Sequence, residues 1–289
     1  MNIKLQDTLD AAEINKAIKI INGLEDKIVG EIDLSHIKFV KPYGLILLLQ
    51  IFDYLDEIDK IYWPNSSTIS YMARMGFFTQ ARKVLTLEKQ IQEINEQVIK
   101  DPKNQTLIDI TKIQDNHDIR TTLEDVHEKA YKILVRELRY KEKDIDDFIV
   151  LLSEALNNIP RHSKSCGFIC AQRYHYQRSN HKYISVCISD MGIGVRNSYV
   201  TNGLITAVDD KEAIKFAVID GKSSKVRGEK RGGNGYKGIK EIVNKLKGVI
   251  SVKSGSVQID VGKNQYFFDE TVPYFPGTQI EIILPEKNI

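Results

Sequence analysis

The sequence predicts an α+β chain: a smaller amino-terminal α/β unit followed by a larger unit of helices and a largely antiparallel sheet. Three observations predict it. Short strand and helix signals alternate from Asp26 to about Arg82, a strand and two amphipathic helices open the stretch beyond residue 105, and turn-separated strands follow residue 248. At 289 residues the chain is longer than an ordinary domain, which favours two.

In the first unit, expected over residues 1–86, Lys27 to Leu34 reads as a strand and Leu45 to Leu55 as an apolar helix. Lys60 to Trp63 reads as a strand stopped by Pro64, and Ser67 to Phe78 as a second helix. Residues 87–104 are rich in Glu, Gln, Lys and Asn, and break at Asp101-Pro-Lys-Asn104. With Leu87, Ile91, Ile94 and Val98 at near-helical spacing, they predict a helical connector. The second unit, residues 105–289, opens with a strand over Thr106 to Ile113 and a helix over Thr122 to Tyr140, apolar at Val126, Ala130, Ile133 and Leu134. A second helix carries Leu151 to Asn158. Tyr183 to Ser189 reads as a strand, Lys237 to Lys247 as a helix, and Gly248 to Gly255, Gln265 to Phe268 and Gln279 to Leu284 as strands.

Charged residues make up 28% of the chain, hydrophobic ones 42%, and the net charge is +2, a balance that gives no bulk attraction to nucleic acid or membrane. The longest apolar run, Leu45 to Leu49, falls short of the roughly 20 residues of a spanning helix, and the amino terminus lacks the pattern of a secretory signal. A cytoplasmic chain is expected. Three cysteines, Cys166, Cys170 and Cys187, have no zinc-type spacing and read as small buried hydrophobes.

Four short blocks carry chemistry. On a helix, Glu154 and Asn158 are one turn apart and share a face, where an amide oxygen suits a magnesium ion and a carboxylate can take a proton. A solvated amphipathic face has the same pattern. His162 follows Pro160, which disfavours continuation of the helix, so the imidazole is set apart from that face as at most a phosphate neighbour. Asp190 ends a strand, with Gly192 and Gly194 allowing a tight turn and close backbone approach. Gly233-Asn-Gly235-Tyr-Lys237-Gly238 opens a helix whose N–H groups can face phosphate. These glycines also spell a dinucleotide fingerprint, but the basic loop before them, Lys222 to Arg231, is not the strand that fingerprint requires. The last block is Gly277-Thr278, leading into the final strand.

In this order the blocks resemble the nucleotide pocket of the GHKL superfamily, which includes histidine-kinase catalytic domains, anti-sigma-factor serine kinases, Hsp90, MutL and type II topoisomerase ATPases. The resemblance covers about residues 105 to 286. It implies a Bergerat-type two-layer sandwich with helices on one face of the sheet, binding ATP and magnesium. Asn158 would be the metal ligand, Glu154 the general base, and Asp190 with Thr278 the adenine-reading pair. Gly192, Gly194, Gly233, Gly235, Lys237 and Gly238 would line the nucleotide, and residues from Val195 to Arg231 would form a lid, with Lys222, Lys225, Arg227, Lys230 and Arg231 supplementing its positive field.

The words Ile32 to Leu45 resemble the STAS domain of anti-sigma-factor antagonists, but Tyr43, with Pro42 beside it, stands where that family carries a phosphoaccepting serine. His127-Glu128 lacks the following proline of a histidine-kinase acceptor, which disfavours a sensor kinase. Three reactions therefore stay open: a soluble ATPase or serine/threonine kinase of the anti-sigma type, an ATP-operated conformational switch, and an interaction module that holds ATP without turnover. A protein partner, of STAS type or a second copy of the chain, is compatible with each.

Overall fold

The computed structural model describes residues 1–81, 106–163, 165–176, 181–203, 209–222, 235–262 and 265–287. The expected connector over 87–104 lies outside them. Two sheets organise the chain. The first is a three-stranded parallel sheet of β1 (Asn2–Leu9), β2 (Ile28–Val40) and β3 (Glu57–Tyr62), in that order. Its crossovers are α1 (Ala11–Asn22) and α2 (Pro42–Tyr54). Since the strand order is sequential and such crossovers are right-handed, both helices lie on one face.

Local chemistry explains these elements. The Asp10 carboxylate accepts the N–H groups of Ala12 and Glu13 and so caps α1, which buries Ile14, Ala17, Ile18 and Ile21 along one stripe. Pro42 occupies the first turn of α2, where no N–H is missed. Every residue from Pro42 to Phe52 is buried, as a helix apolar all round requires. α3 (Ser66–Arg74) and α4 (Phe77–Gln80) replace the single helix expected over Ser67 to Phe78, because Gly76 at φ +78° turns the chain between them. β1 and α1 were not anticipated, although Ile3 and Leu5 alternate with polar residues and Asp10 is a capping residue.

The second sheet has seven strands in the order β4-β5-β6-β10-β7-β8-β9, with every neighbouring pair antiparallel. They are β4 (Thr106–Ile113), β5 (Gly167–Tyr176), β6 (His181–Asp190), β7 (Val249–Gly255), β8 (Val257–Gly262), β9 (Gln265–Asp269) and β10 (Phe275–Pro285). β5 and β8 had not been predicted. One face carries α5 (Asn116–Ala130), which passes into a π-helical turn at Tyr131–Val135 rather than running on to Tyr140, then α6 (Lys143–Asn158) and α9 (Gly235–Lys245). That half is a sandwich of helices on an antiparallel sheet.

The amino-terminal unit covers the other face. On β6, Ile184, Val186 and Ile188 enter the core beneath the helices, while Cys187 enters the core built around α2. Phe168, Cys170 and Phe275 join that second core with Leu45, Leu48 and Phe52. Polar ties cross the same boundary. The Ile110 N–H donates to Met75 O at 2.8 Å, and Lys253, 1% exposed, donates from Nζ to Asn15 Oδ1 at 2.7 Å. Burial pushes the Lys253 amine down to about 8. Tyr43 is buried in this boundary in the first turn of α2. Among the described residues no helix is long and apolar enough to cross a membrane.

The tightest seam is where α2 starts against the end of β1: a Cβ on Gly44 would lie 2.2 Å from the Leu9 carbonyl oxygen. Backbone cannot yield there as a side chain can. Gly44→Ala is expected to destabilise the fold by about 1 to 3 kcal/mol, read as a lower denaturant midpoint; an unchanged midpoint would mean that α2 is not held this closely.

Candidate functional site

The ends of three strands and two helices converge at one end of the large sheet. Asp190, the last residue of β6, is in register with Thr278 on β10 and with Gly167 at the start of β5. A Cβ on Gly167 would touch Ile159 Cδ1 at 2.7 Å, so the carboxyl end of α6 sits at the level of Asp190. α9 packs along α6, with Lys245 in its last turn ion-paired to Asp147 near the start of α6. The two helices are thus antiparallel. At about 1.5 Å of rise per residue, the start of α9 reaches the level of Asn157 and Asn158.

The Asp190 carboxylate is the centre of this region. It accepts the Gly192 N–H at 2.8 Å and the backbone N–H of Thr278. Asp190 and Thr278 are each 8% exposed. Burial pushes the Asp190 carboxyl up to about 7 from its ordinary 3.8, and the two N–H donors offset only part of that rise. The loop beyond it is tightly built. Gly194 at φ +75° and Gly277 at φ +80° are both left-handed, and a Cβ on Gly277 would lie 2.0 Å from Asp190 O. Ser254 joins the two glycine turns by accepting the Val195 N–H at 2.9 Å and donating to Gly277 O at 2.8 Å.

Glu154 and Asn158 are half-buried, one turn apart at the end of α6. Asn158 Nδ2 is buried and has no hydrogen-bond partner. Exchanging the two ends of an amide costs nothing in shape, so this orphaned position fits an oxygen ligand for a hard cation. α6 ends at Asn158 and continues as a π-helical turn at Ile159–Ser163, so the helical path runs through Pro160 to His162 instead of stopping before it, against the expectation drawn from Pro160.

The third block is partly visible. Gly233 lies outside the described residues, as do Lys225, Arg227, Lys230 and Arg231. Gly235 starts α9 at φ +52°, with nothing within 4 Å of where a Cβ would stand. Gly238 lies within α9, and the Lys237 side chain lies against Gly221, 2.7 Å from where a Cβ would stand. Lys222 is engaged locally, with its amine 3.9 Å from Asp220 and 4.0 Å over the Phe216 ring. Within the expected lid, α7 (Gly194–Thr201), α8 (Asp210–Ile214) and a π-helical turn at Lys215–Ile219 form ordered structure. Two bonds tie it down: Tyr199 Oη donates to Lys222 O at 2.5 Å, and Lys240 Nζ donates to Ile219 O at 2.8 Å.

Sequence reasoning missed Ser254, Gln279 and Tyr236. Tyr236 is hydrogen-bonded to Thr278 and close to Asp190, and burial pushes its phenol up. Its position next to Gly235 was the one available signal. Gln279 donates to Pro276 O at 2.9 Å and to Asp190 O at 3.4 Å, bracing the strand ends from beneath.

No protein-family model matches the chain, and no curated protein does. Among solved structures it is similar to the histidine kinase domain of the blue-light activated histidine kinase EL346 from Erythrobacter litoralis. The match covers 96% of this chain and 94% of that one at 12% identity, with a TM-score of 0.28. At that score neither fold nor function passes from one chain to the other.

The raised Asp190 carboxyl makes a pH prediction. A carboxyl raised in the folded state contributes stability that is full below its unfolded value near 3.8 and is lost as pH rises through about 7. Asp190→Asn removes that loss. The stability of the variant relative to the parent should therefore rise between about pH 4 and pH 7 and flatten above, measured from denaturant midpoints. A difference independent of pH, or falling with it, would show that Asp190 is not held neutral by burial.

Proposed function

We propose that the pocket binds adenine nucleotide with magnesium in the manner of the GHKL superfamily, and that the protein is a regulator that hydrolyses ATP or transfers its γ-phosphoryl group to a protein serine or threonine. The single observation that carries this reading is the buried Asp190 carboxylate, in register with Thr278 and bracketed by two left-handed glycines. A carboxylate at the closed end of a pocket accepts a hydrogen bond from an exocyclic amine, and the adjacent threonine hydroxyl completes an edge that reads adenine.

The remaining roles follow from the convergence of α6 and α9. Asn158 would hold magnesium by its amide oxygen, and the ion would neutralise phosphate charge. Glu154 accepts the proton of the attacking water or serine hydroxyl as oxygen bonds to the γ-phosphorus and the bond to the β-phosphate oxygen breaks. The N–H groups at the start of α9 favour the developing negative charge. On its sequence words the amino-terminal unit is read as STAS-like. The burial of Tyr43 supports a structural role at that position, and a STAS-type protein is the proposed partner or substrate.

One observation favours the alternative, an ATP-operated switch: the strand that ends in Asp190 is roofed by α2 of the amino-terminal unit, so a change at the pocket is felt by that unit. Incubation with γ-labelled ATP separates the readings. Label on protein serine or threonine is expected for the kinase, whereas free phosphate with unlabelled protein, even with STAS-type partners added, favours the switch. Under both, Glu154→Ala should lower turnover by roughly 100-fold or more at unchanged ATP affinity; unchanged turnover would remove Glu154 as the base.

A further inference from the structure

Two orphaned amide groups lie at the boundary between the amino-terminal unit and the large sheet. Gln50, on α2, is 1% exposed; its Oε1 accepts the Ser189 hydroxyl at 2.6 Å, and its Nε2 has no partner. Gln279, on β10, is also 1% exposed; its Nε2 donates to Pro276 O and Asp190 O, and its Oε1 has no partner. Ser189 and Gln279 are directly opposite in the β6–β10 ladder. Cβ atoms of residues so paired are about 4.5 to 5.5 Å apart. A glutamine bonded to Ser189 is therefore beside Gln279.

The mismatch is complementary: a buried donor without an acceptor lies next to a buried acceptor without a donor. Each orphan costs about 1 to 3 kcal/mol while unpaired, and one contact between them removes both costs. Gln279 already grips the pocket, since Pro276 precedes the Gly277-Thr278 turn and Asp190 is the base-reading residue. Closing Gln50 Nε2 onto Gln279 Oε1 would fix Gln279 in the orientation that holds the ends of β6 and β10 together.

We propose that Gln50 is a positioning residue of the nucleotide pocket, through which the seating of α2 and the occupancy of the base site control one another. Gln50 touches neither base nor phosphate and acts through Gln279. By reciprocity, whatever displaces α2 weakens nucleotide binding by the factor by which nucleotide tightens α2 on the sheet. The position on α2 suits this role. The helix is enclosed on every side, so it shifts only as a body and carries its single buried amide with it.

The coupling rests on the nucleotide reading of the pocket, and the experiment keeps the two apart. Gln50→Met conserves volume and removes the amide, and Gln279→Met removes its counterpart; the full chain is used for both variants and for their combination. Magnesium-ATP affinity should fall about 3- to 10-fold in Gln50→Met, whereas in a chain that already carries Gln279→Met the same substitution at Gln50 should cause no further loss. Stability should change little, because the orphaned Gln50 amide goes but the buried Ser189 hydroxyl loses its acceptor. Amide hydrogen exchange without nucleotide should accelerate at Asp190 to Val195 and at Gly277 to Gln279 in Gln50→Met. Unchanged exchange there, or strictly additive losses of affinity in the double variant, would overturn the coupling. Absence of ATP binding by the parent chain together with accelerated exchange in the variant would keep the coupling and overturn the nucleotide reading.

Discussion

The structure depends on the need to enclose α2. Eleven consecutive residues of this helix, Pro42 to Phe52, are buried, so no single sheet can satisfy it. The small parallel sheet supplies one wall through its own crossover. The other wall is the face of the antiparallel sheet that carries Phe168, Cys170 and Cys187. At roughly 1.5 to 3 kcal/mol for each large apolar side chain removed from water, the leucines and isoleucines of α2 hold the two sheets together more firmly than the few polar bonds beside them. The arrangement thus runs, in layers, from helices α5, α6 and α9 to the seven-stranded sheet, then α1 and α2, then the three-stranded sheet.

That enclosure sets the electrostatics of the site. A carboxylate at the end of an exposed sheet would be hydrated and ionised. Asp190 instead lies between a helix layer and a second roof, where burial keeps its proton on until about pH 7. The same boundary holds Lys253, with a depressed amine, and Glu281, whose carboxyl burial pushes up while the Ser185 hydroxyl donates to it at 3.0 Å. Buried polar groups of this kind add little net stability but fix how the two layers register. Ser189, Cys187 and Ser185 alternate along β6 toward this boundary while Ile184, Val186 and Ile188 face the helices, so one strand serves two cores through its period of two.

Much of this was legible in the sequence, and what was not has physical causes. β4 matched the alternation from Thr106 to Ile113 residue for residue, α2, β6, β7 and β10 lay where their patterns put them within a few residues, and α6 carries Leu151 to Asn158 but starts eight residues earlier, at Lys143. β5 escaped because Gly167 to Tyr176 is buried on both faces at its start and shows no clean alternation, and β8 because Val257 to Gly262 follows β7 after a single turn residue. Gly76 ended a helix that its neighbours would have continued. At the site, Asp190, Gly192, Gly194 and Thr278 were readable because turns and strand ends leave local marks. Ser254, Gln279 and Gln50 were not. Their roles arise from partners 23, 89 and 139 residues away, a separation on which no local pattern reports.

The central claim is that Asp190 reads an exocyclic amine, and base discrimination tests it most directly. Adenine presents an amine where guanine presents a carbonyl, and an acceptor facing a carbonyl leaves both groups unpaired in a buried site, at a cost of several kcal/mol. Calorimetric titration of the full chain with magnesium-ATP and magnesium-GTP at pH 8, where Asp190 is ionised, should give one saturable ATP site per chain and GTP binding weaker by about 100-fold or more. Equal affinity for the two nucleotides, or no binding of either, would contradict the account.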